Sequence, residues 1–320
     1  MGSSPRASST RSSAPYPRRD GSPRLTAHLT RVKARLSIHA HRKARGLLEG
    51  EYAAIQVGRG IDFNDLREYV RGDDVKDIDW KASARTRMLL IRRYVAERKH
   101  TVVLAVSTGR SMAAMNDAQV SKRDLAVFVS GVMGYLAVRH GDLVALVYGD
   151  ARRQHVRPPD NGELYLERLL GLVHDAITPE APPSDLAAVL DYVARAIRRR
   201  TILVVVSDET SVSDQLAESL RRLTAQHEVL FLTIGDLDPT ITAGAPRRLV
   251  DVDAGAEVPG WLRGDVRLQQ EYAALVAGEE SQLRRRLDQL GVVHERVEDT
   301  ESAIAAVFRV LERQKHARRR

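Results

Sequence analysis

The oxygen-bearing side chains best placed to do chemistry in this chain are Ser107, Ser111, Ser184 and Asp208. Ser107-Thr108-Gly109-Arg110-Ser111 closes one apolar run, Ser207-Asp208-Glu209 closes another, and Ser184 follows Pro182-Pro183 where a helix is expected to begin. If the two runs are neighbouring strands, three hydroxyls and a carboxylate converge in an all-oxygen environment suited to Mg²⁺. Such an ion usually takes one or two protein carboxylates, so Asp208, with Glu209 beside it, makes a weak site. The simpler use of Ser107, Ser111 and Ser184 is to cap helices and satisfy loop backbone.

A second concentration is acidic: Asp73, Asp74, Asp77 and Asp79. It lacks the glycine and closing glutamate of a calcium-binding EF-hand loop. Asp79-Trp80-Lys81 has the acidic-x-Lys spacing by which metal-dependent nucleases hold Mg²⁺ and orient water, with Asp62 or Asp65 as a second carboxylate. Arg67, Arg71, Lys76, Arg85 and Arg87 are interleaved with it, so ion pairing that fixes an irregular segment is the expected use. Trp80 is expected to anchor that segment in a core, since a buried indole contributes a large contact area. Gly109-Arg110-Ser111-Met112-Ala113 is similar to a serine-hydrolase elbow with Ala as its last residue, and a triad would need Asp208 and His294, the latter inside an expected strand. The sequence has no Gly-Lys pair for a Walker A loop and no G-x-G-x-x-G between a strand and a helix.

The elements that must position these residues alternate along the chain. Strands are predicted at Thr101–Ser107, Leu143–Tyr148, Thr201–Ser207, Glu228–Ile234 and Gly291–Val297, and Met88 to Val95 reads as another. A helix over 184–199 places Leu186, Val189, Leu190, Val193 and Ile197 on one face. A helix over 213–225 does the same with Leu216, Leu220 and Leu223 behind a capping-type Ser211-x-x-Asp214. Helices are also expected over about 265–290 and through Ile304, Val307, Phe308 and Leu311. Continuous Val/Ile/Leu runs alternating with helices predict a buried parallel sheet covered on both sides, a doubly wound α/β fold whose ligands bind beyond the carboxyl ends of its strands. Near the N-terminus Leu25, Leu29, Val32 and Leu36 mark a basic amphipathic helix, expected to dock on the domain; a contact surface for a partner or acidic lipid is the alternative.

The segment Gly58-Arg59-Gly60…Phe63…Leu66-Arg67-Glu68-Tyr69…Gly72-Asp73-Asp74…Ile78-Asp79-Trp80…Ser83-Ala84-Arg85-Thr86 resembles the signature of the bacterial family called domain of unknown function 58. The resemblance covers about residues 50–312. It implies a von Willebrand factor A-like doubly wound domain behind a small N-terminal signature subdomain, in which Gly72, Asp73, Asp74, Asp79, Trp80, Ser83 and Arg85 are the signature positions. It also implies partnership with a MoxR-type AAA+ ATPase in the chaperone-like assembly or maturation of client proteins. Domains of this type often carry a metal-ion-dependent adhesion site, Asp-x-Ser-x-Ser with a Thr and a second Asp from later loops. Here Ser107 and Gly109 replace the first Asp and the middle Ser, Ser111 remains, Ser184 falls where the Thr would be, and Asp208 supplies the later carboxylate. The resemblance therefore implies a degenerate site that binds Mg²⁺ weakly or not at all.

Charge is distributed unevenly. The formal net charge is +8, yet residues 1–50 carry +9 and residues 313–320 carry +5, which leaves residues 51–312 at −6. A nucleic-acid partner is thus an expectation about the ends, and the body is mildly acidic. With no cysteine, disulfides, thiolate zinc sites and a cysteine nucleophile are excluded. The longest uncharged apolar stretch, Leu125 to Val138, has 14 residues, short of the roughly 20 a spanning helix needs. The N-terminus has no apolar core of a secretory signal. The expected organisation is a disordered basic tail (1–24), a basic amphipathic helix (25–50), the signature segment (51–100), the doubly wound domain (101–312) and a basic tail (313–320). The expected role is a cytoplasmic, non-enzymatic protein-binding adaptor; the alternative is a nucleic-acid-binding protein using its basic termini.

Overall fold

The computed structural model describes residues 27–40, 52, 65–70, 78–93, 99–116, 120–208, 211–240, 249–262 and 265–317. Gly72, Asp73 and Asp74, like Asp62, Asp77, Glu209 and the segment 1–24, lie outside the described residues.

The order of elements is α1 (Ala27–Ala40), β1 (Asp65–Glu68), α2 (Trp80–Thr86), β2 (Leu90–Arg93), β3 (Thr101–Ser107), α3 (Lys122–Arg139), β4 (Leu143–Gly149), β5 (Gln154–Asp160), α4 (Glu163–Ala176), α5 (Leu186–Ala196), β6 (Ile202–Ser207), α6 (Asp214–Gln226), β7 (Glu228–Ile234), α7 (Val266–Gln289), β8 (Val293–Val297) and α8 (Thr300–Ala317). Six strands form the central sheet in the order β5-β4-β3-β6-β7-β8. The pairs β4–β3, β3–β6, β6–β7 and β7–β8 are parallel, so the doubly wound α/β architecture expected from the alternating runs is present. Strand β5 has no counterpart in the sequence expectations and pairs antiparallel with β4 at the sheet edge. Its polar sequence includes Pro158 and Pro159, which an edge strand tolerates because, among the described residues, one side of its backbone pairs with no other strand.

Alternation along the strands divides the core into two layers. Val102, Leu104 and Val106 of β3 join a cluster with residues of α3, α4 and α8, whereas Val103 and Ala105 face a cluster built with α5, α6 and α7. Helix α3 is buried nearly all round, as a helix between a sheet and an outer layer must be. That outer layer includes α1, whose Leu29, Val32 and Leu36 are buried in the same cluster. Two early N–H groups of α1, those of His28 and Leu29, donate to the buried carboxylate of Glu167 on α4 at 3.0 and 2.7 Å. Glu167 thereby acts as a helix cap supplied by another element. Gly131 on α3 makes room for the contact, since a Cβ there would lie 2.8 Å from a Val32 methyl. Tyr52 is fully buried and donates its hydroxyl to Asp142 at 2.8 Å. The amphipathic helix is therefore docked on the domain.

The described part of the signature segment is a two-stranded antiparallel sheet, β1 with β2, joined to the short helix α2. Its residues correct one expectation: Trp80 is 63% exposed and anchors no core. Trp80 is the first residue of α2, and Asp79 before it turns the chain by accepting the N–H groups of Lys81 and Ala82 at 3.1 and 3.0 Å. Helix starts also differ from expectation at two places. Ser184 lies in a loop, because Asp185 caps α5 by accepting from Ala188 N at 2.8 Å. Ser213, not Ser211, caps α6, its hydroxyl accepting from Leu216 N at 3.2 Å. Residues 313–317 are not a tail. They continue α8, and Arg313 donates to the carbonyl of His294 at 2.8 Å and pairs with Glu295 at 3.1 Å.

Candidate functional site at the carboxyl edge of the sheet

Because β3 and β6 are parallel neighbours, the loops carrying Ser107, Ser111 and Asp208 leave the sheet at the same edge. Ser107 is buried at the last position of β3, opposite Gly149 of β4. The chain then turns through Gly109 into a short 3-10 helix, Arg110–Ala113. Arg110 N donates to Pro182 O at 3.0 Å, which clamps the loop before α5 against it. As a result Ser111 Oγ and Ser184 Oγ meet at 2.6 Å, and the expected convergence of these two hydroxyls is present.

Gly109 shows why the middle position has no hydroxyl. A Cβ built on it would fall 2.3 Å from Ser184 N and 2.4 Å from Ser184 Cα, so the backbone of the 182–184 loop occupies the place of any side chain. Close backbone approach, rather than an unusual φ, demands glycine here.

Asp208 does not face an open cavity. Its carboxylate accepts from Lys122 Nζ at 2.9 Å, and the same ammonium lies 3.1 Å from Asp236, just beyond β7. The Lys122 side chain is 1% exposed and Asp208 8%, whereas Asp236 is 56% exposed. Burial by itself lowers the pKa of Lys122, but Asp208 and Asp236 outweigh it and hold the ammonium above the ordinary lysine value of 10.5. Lys122 is the first residue of α3, capped by Ser121, and its own N–H donates to Ala114 O at 3.0 Å. A cation at a helix N-terminus works against the helix dipole, and buried lysines are rare unless paired.

The Mg²⁺ that the family resemblance brings with it does not fit this arrangement. The Ser111 and Ser184 hydroxyls bond each other, Gly109 offers none, and the carboxylate of Asp208 already holds a buried ammonium. Among the described residues there is no group of three or more His, Asp or Glu side chains able to hold a metal ion. The hydrolase triad is not assembled either. Ser111 is bonded to Ser184, Asp208 to Lys122, and His294 Nε2 to Thr233 Oγ1 at 2.8 Å. Burial lowers the His294 pKa to about 4, so the imidazole is neutral in the fold.

Around this centre the edge is open and charged. A cleft of about 510 Å³ between the ends of β7 and β8 and helix α7 is lined by Asp236, Tyr272, Glu280, His294, Arg296 and Glu298, among others. The loop 249–262 closes over the other side, held by Arg110 Nε on Asp253 at 3.2 Å, and carries Trp261, 72% exposed. Sequence reasoning missed Lys122 because a lysine in a charged stretch reads as a solvated residue. Its signal was the placement of a lysine at the start of an otherwise apolar helix.

Of the signature positions that the structure describes, Asp79, Ser83 and Arg85 do architectural work. Asp79 caps α2, and Ser83 is buried, accepting from Leu90 N at 2.8 Å to tie the helix to β2. Arg85 sits in the last turn of α2, where a cation complements the helix dipole. Trp80 is left facing outward, on a subdomain that also exposes Val70, Met88 and Leu89.

Solved structures similar to this chain are distant. An aerotolerance-related membrane protein from Bacteroides fragilis, carrying multiple mutations to serine, is 17% identical with a TM-score of 0.42, the match covering 67% of this chain and 99% of that one. A von Willebrand factor type A protein from Catenulispora acidiphila is 11% identical with a TM-score of 0.39, covering 71% and 44% respectively. Among curated relatives, uncharacterized proteins of Mycobacterium bovis and Mycobacterium tuberculosis are 32% identical over 208 residues, 64% of this chain. The matched region spans 63% of the length of those relatives. The sequence pattern of one family matches residues 65–282, more than half of the chain, and the protein belongs to that family, described as protein of unknown function DUF58.

Proposed function

We propose that this protein is a non-enzymatic docking protein, working in the cytoplasm as an adaptor for a MoxR-type AAA+ ATPase in the assembly or maturation of other proteins. One observation carries the docking part: the tryptophan of the signature segment is turned to solvent, 63% exposed, although the residues around it are spent on capping and tying the subdomain. Trp is among the residues most enriched at the centres of protein interfaces, because it gives a large rigid contact area at small entropic cost. A tryptophan held on the surface by a capped helix is pre-organised for such a contact. The ATPase as the partner rests on the family resemblance.

The test is binding of the full chain to a purified MoxR-type ATPase from the same organism. Wild-type protein is expected to bind, Trp80→Ala to bind at least about tenfold more weakly, and a chain lacking residues 1–24 and 318–320 to bind as wild type. No binding by the wild type would overturn the ATPase assignment. Unchanged binding by Trp80→Ala would overturn the assigned surface. Salt-dependent binding to nucleic acid, lost with those two terminal segments, would instead favour the alternative carried by the basic ends.

A further inference from the structure

The disagreement between the carboxyl edge and a metal ion has a specific cause, which is the position of one side chain. We propose that the Lys122 ammonium is the resident cation of this edge: it takes the place of a divalent ion, completes the site without metal, and masks a divalent-cation site on Asp208 and Asp236.

Three features of the molecule support this. The first is location. Asp208 follows the last residue of β6, Asp236 lies two residues beyond β7, and these are adjacent parallel strands, so both carboxylates stand at the edge where open α/β sheets bind ligands. Lys122 reaches them from the start of α3 and bridges them at 2.9 and 3.1 Å. An ion bound to the same oxygens at the usual distance of about 2.0–2.1 Å would sit almost against the ammonium, and the buried lysine is held there by both carboxylates.

The second feature is that two of the hydroxyls nearby bond each other and the middle position carries none. Ser111 and Ser184 share a hydrogen bond at 2.6 Å, and the backbone of Ser184 fills the space beside Gly109.

The third is cost. A lysine that is 1% exposed, at the first position of a helix, meets both desolvation and the positive end of the helix dipole. An apolar side chain of similar length would avoid both. Packing alone therefore gives no reason for this residue, whereas a requirement for fixed positive charge does. The ion cluster is left at a net −1, with half-exposed Asp236 at its outer side. A metal-filled edge would offer an open coordination position to a partner's carboxylate; this one offers a carboxylate, and a basic or hydrogen-bond-donating group fits it. The inference concerns the cation alone and holds whichever partner binds.

Mn²⁺ titration of the full chain, followed by electron paramagnetic resonance and by the thermal midpoint, tests it. Wild-type protein is expected to bind no stoichiometric Mn²⁺ and to show no midpoint shift with Mn²⁺ or with a chelator. Lys122→Ala is expected to bind one Mn²⁺ per chain and to rise in midpoint on adding it, and Lys122→Ala with Asp208→Asn to lose both responses. Lys122→Gln, which keeps length and hydrogen bonding without the charge, serves as a second variant and is expected to gain Mn²⁺ binding in the same way. Stoichiometric Mn²⁺ binding by the wild type, abolished in Asp208→Asn, would overturn the proposal whatever the variants do. So would folded Lys122→Ala and Lys122→Gln proteins that take up no Mn²⁺.

Discussion

Lys122 and His294 are two buried bases with opposite solutions to burial. Lys122 stays charged because two carboxylates hold it, and removing its charge leaves Asp208 buried without a counter-ion. Lys122→Met is therefore expected to cost roughly 3–5 kcal/mol in chemical denaturation. Since the folded lysine is held above its ordinary pKa of 10.5, its contribution is complete below that pH and is lost as pH rises through the folded value. The stability gap between wild type and Lys122→Met should stay flat around neutrality and close in strong alkali. His294 is instead kept neutral. Its pKa falls from 6.5 to about 4, so the unfolded chain binds more protons between those values and stability drops as pH falls through that window. The loss attributable to His294 is on the order of 3 kcal/mol, and urea midpoints of His294→Gln should show a correspondingly shallower decline between pH 6.5 and 4. Of these residues the sequence made Ser111, Ser184 and Asp208 visible, because strand-end hydroxyls and carboxylates stand out by position. Lys122 and Asp236 were not visible, since nothing local says that one charge is buried and which partner it has chosen.

At the scale of elements, close contacts decide what each loop and helix can be. Gly109→Ala would force a Cβ to within 2.3 Å of the Ser184 backbone, so the 182–184 loop must move and the Arg110 N to Pro182 O bond must stretch. A loss of about 1–3 kcal/mol is expected, measured by thermal unfolding, although alanine adds only one methyl group. Helix α1 depends in the same way on one distant side chain. Glu167→Ala leaves the His28 and Leu29 N–H groups without their acceptor, and a cost of about 1–3 kcal/mol is expected, with faster amide exchange confined to α1. The amphipathic spacing of Leu29, Val32 and Leu36 already announced a helix with one buried face. It could not announce the acceptor, which lies 138 residues away from Leu29 along the chain. Strand β5 was hidden for a related reason: a polar edge strand with two prolines has no apolar pattern, and only its pairing with β4 makes it a strand.

For the molecule as a whole, two exposed tryptophans sit on different elements, Trp80 on the signature subdomain and Trp261 on the loop latched to the carboxyl edge. If the signature subdomain docks the ATPase, Trp261→Ala should leave that affinity unchanged, and neither substitution should move the thermal midpoint appreciably. Equal loss of ATPase affinity in both variants would mean that one surface spans the two sites. The helices described here include none long and apolar enough to cross a membrane, in keeping with the 14-residue limit of the longest uncharged apolar stretch. That stretch lies within α3, whose apolar character comes from being enclosed by the sheet, α1, α4 and α8. By itself, the sequence determined the alternation of buried strands and helices, hence the doubly wound sheet and the edge at which its loops gather, because hydrophobic periodicity is a local record of burial. Only the tertiary structure decided what that edge holds. The identity of its cation depends on three side chains 28 or more residues apart, Lys122, Asp208 and Asp236, whose meeting is fixed by strand order and helix placement rather than by any spacing along the chain.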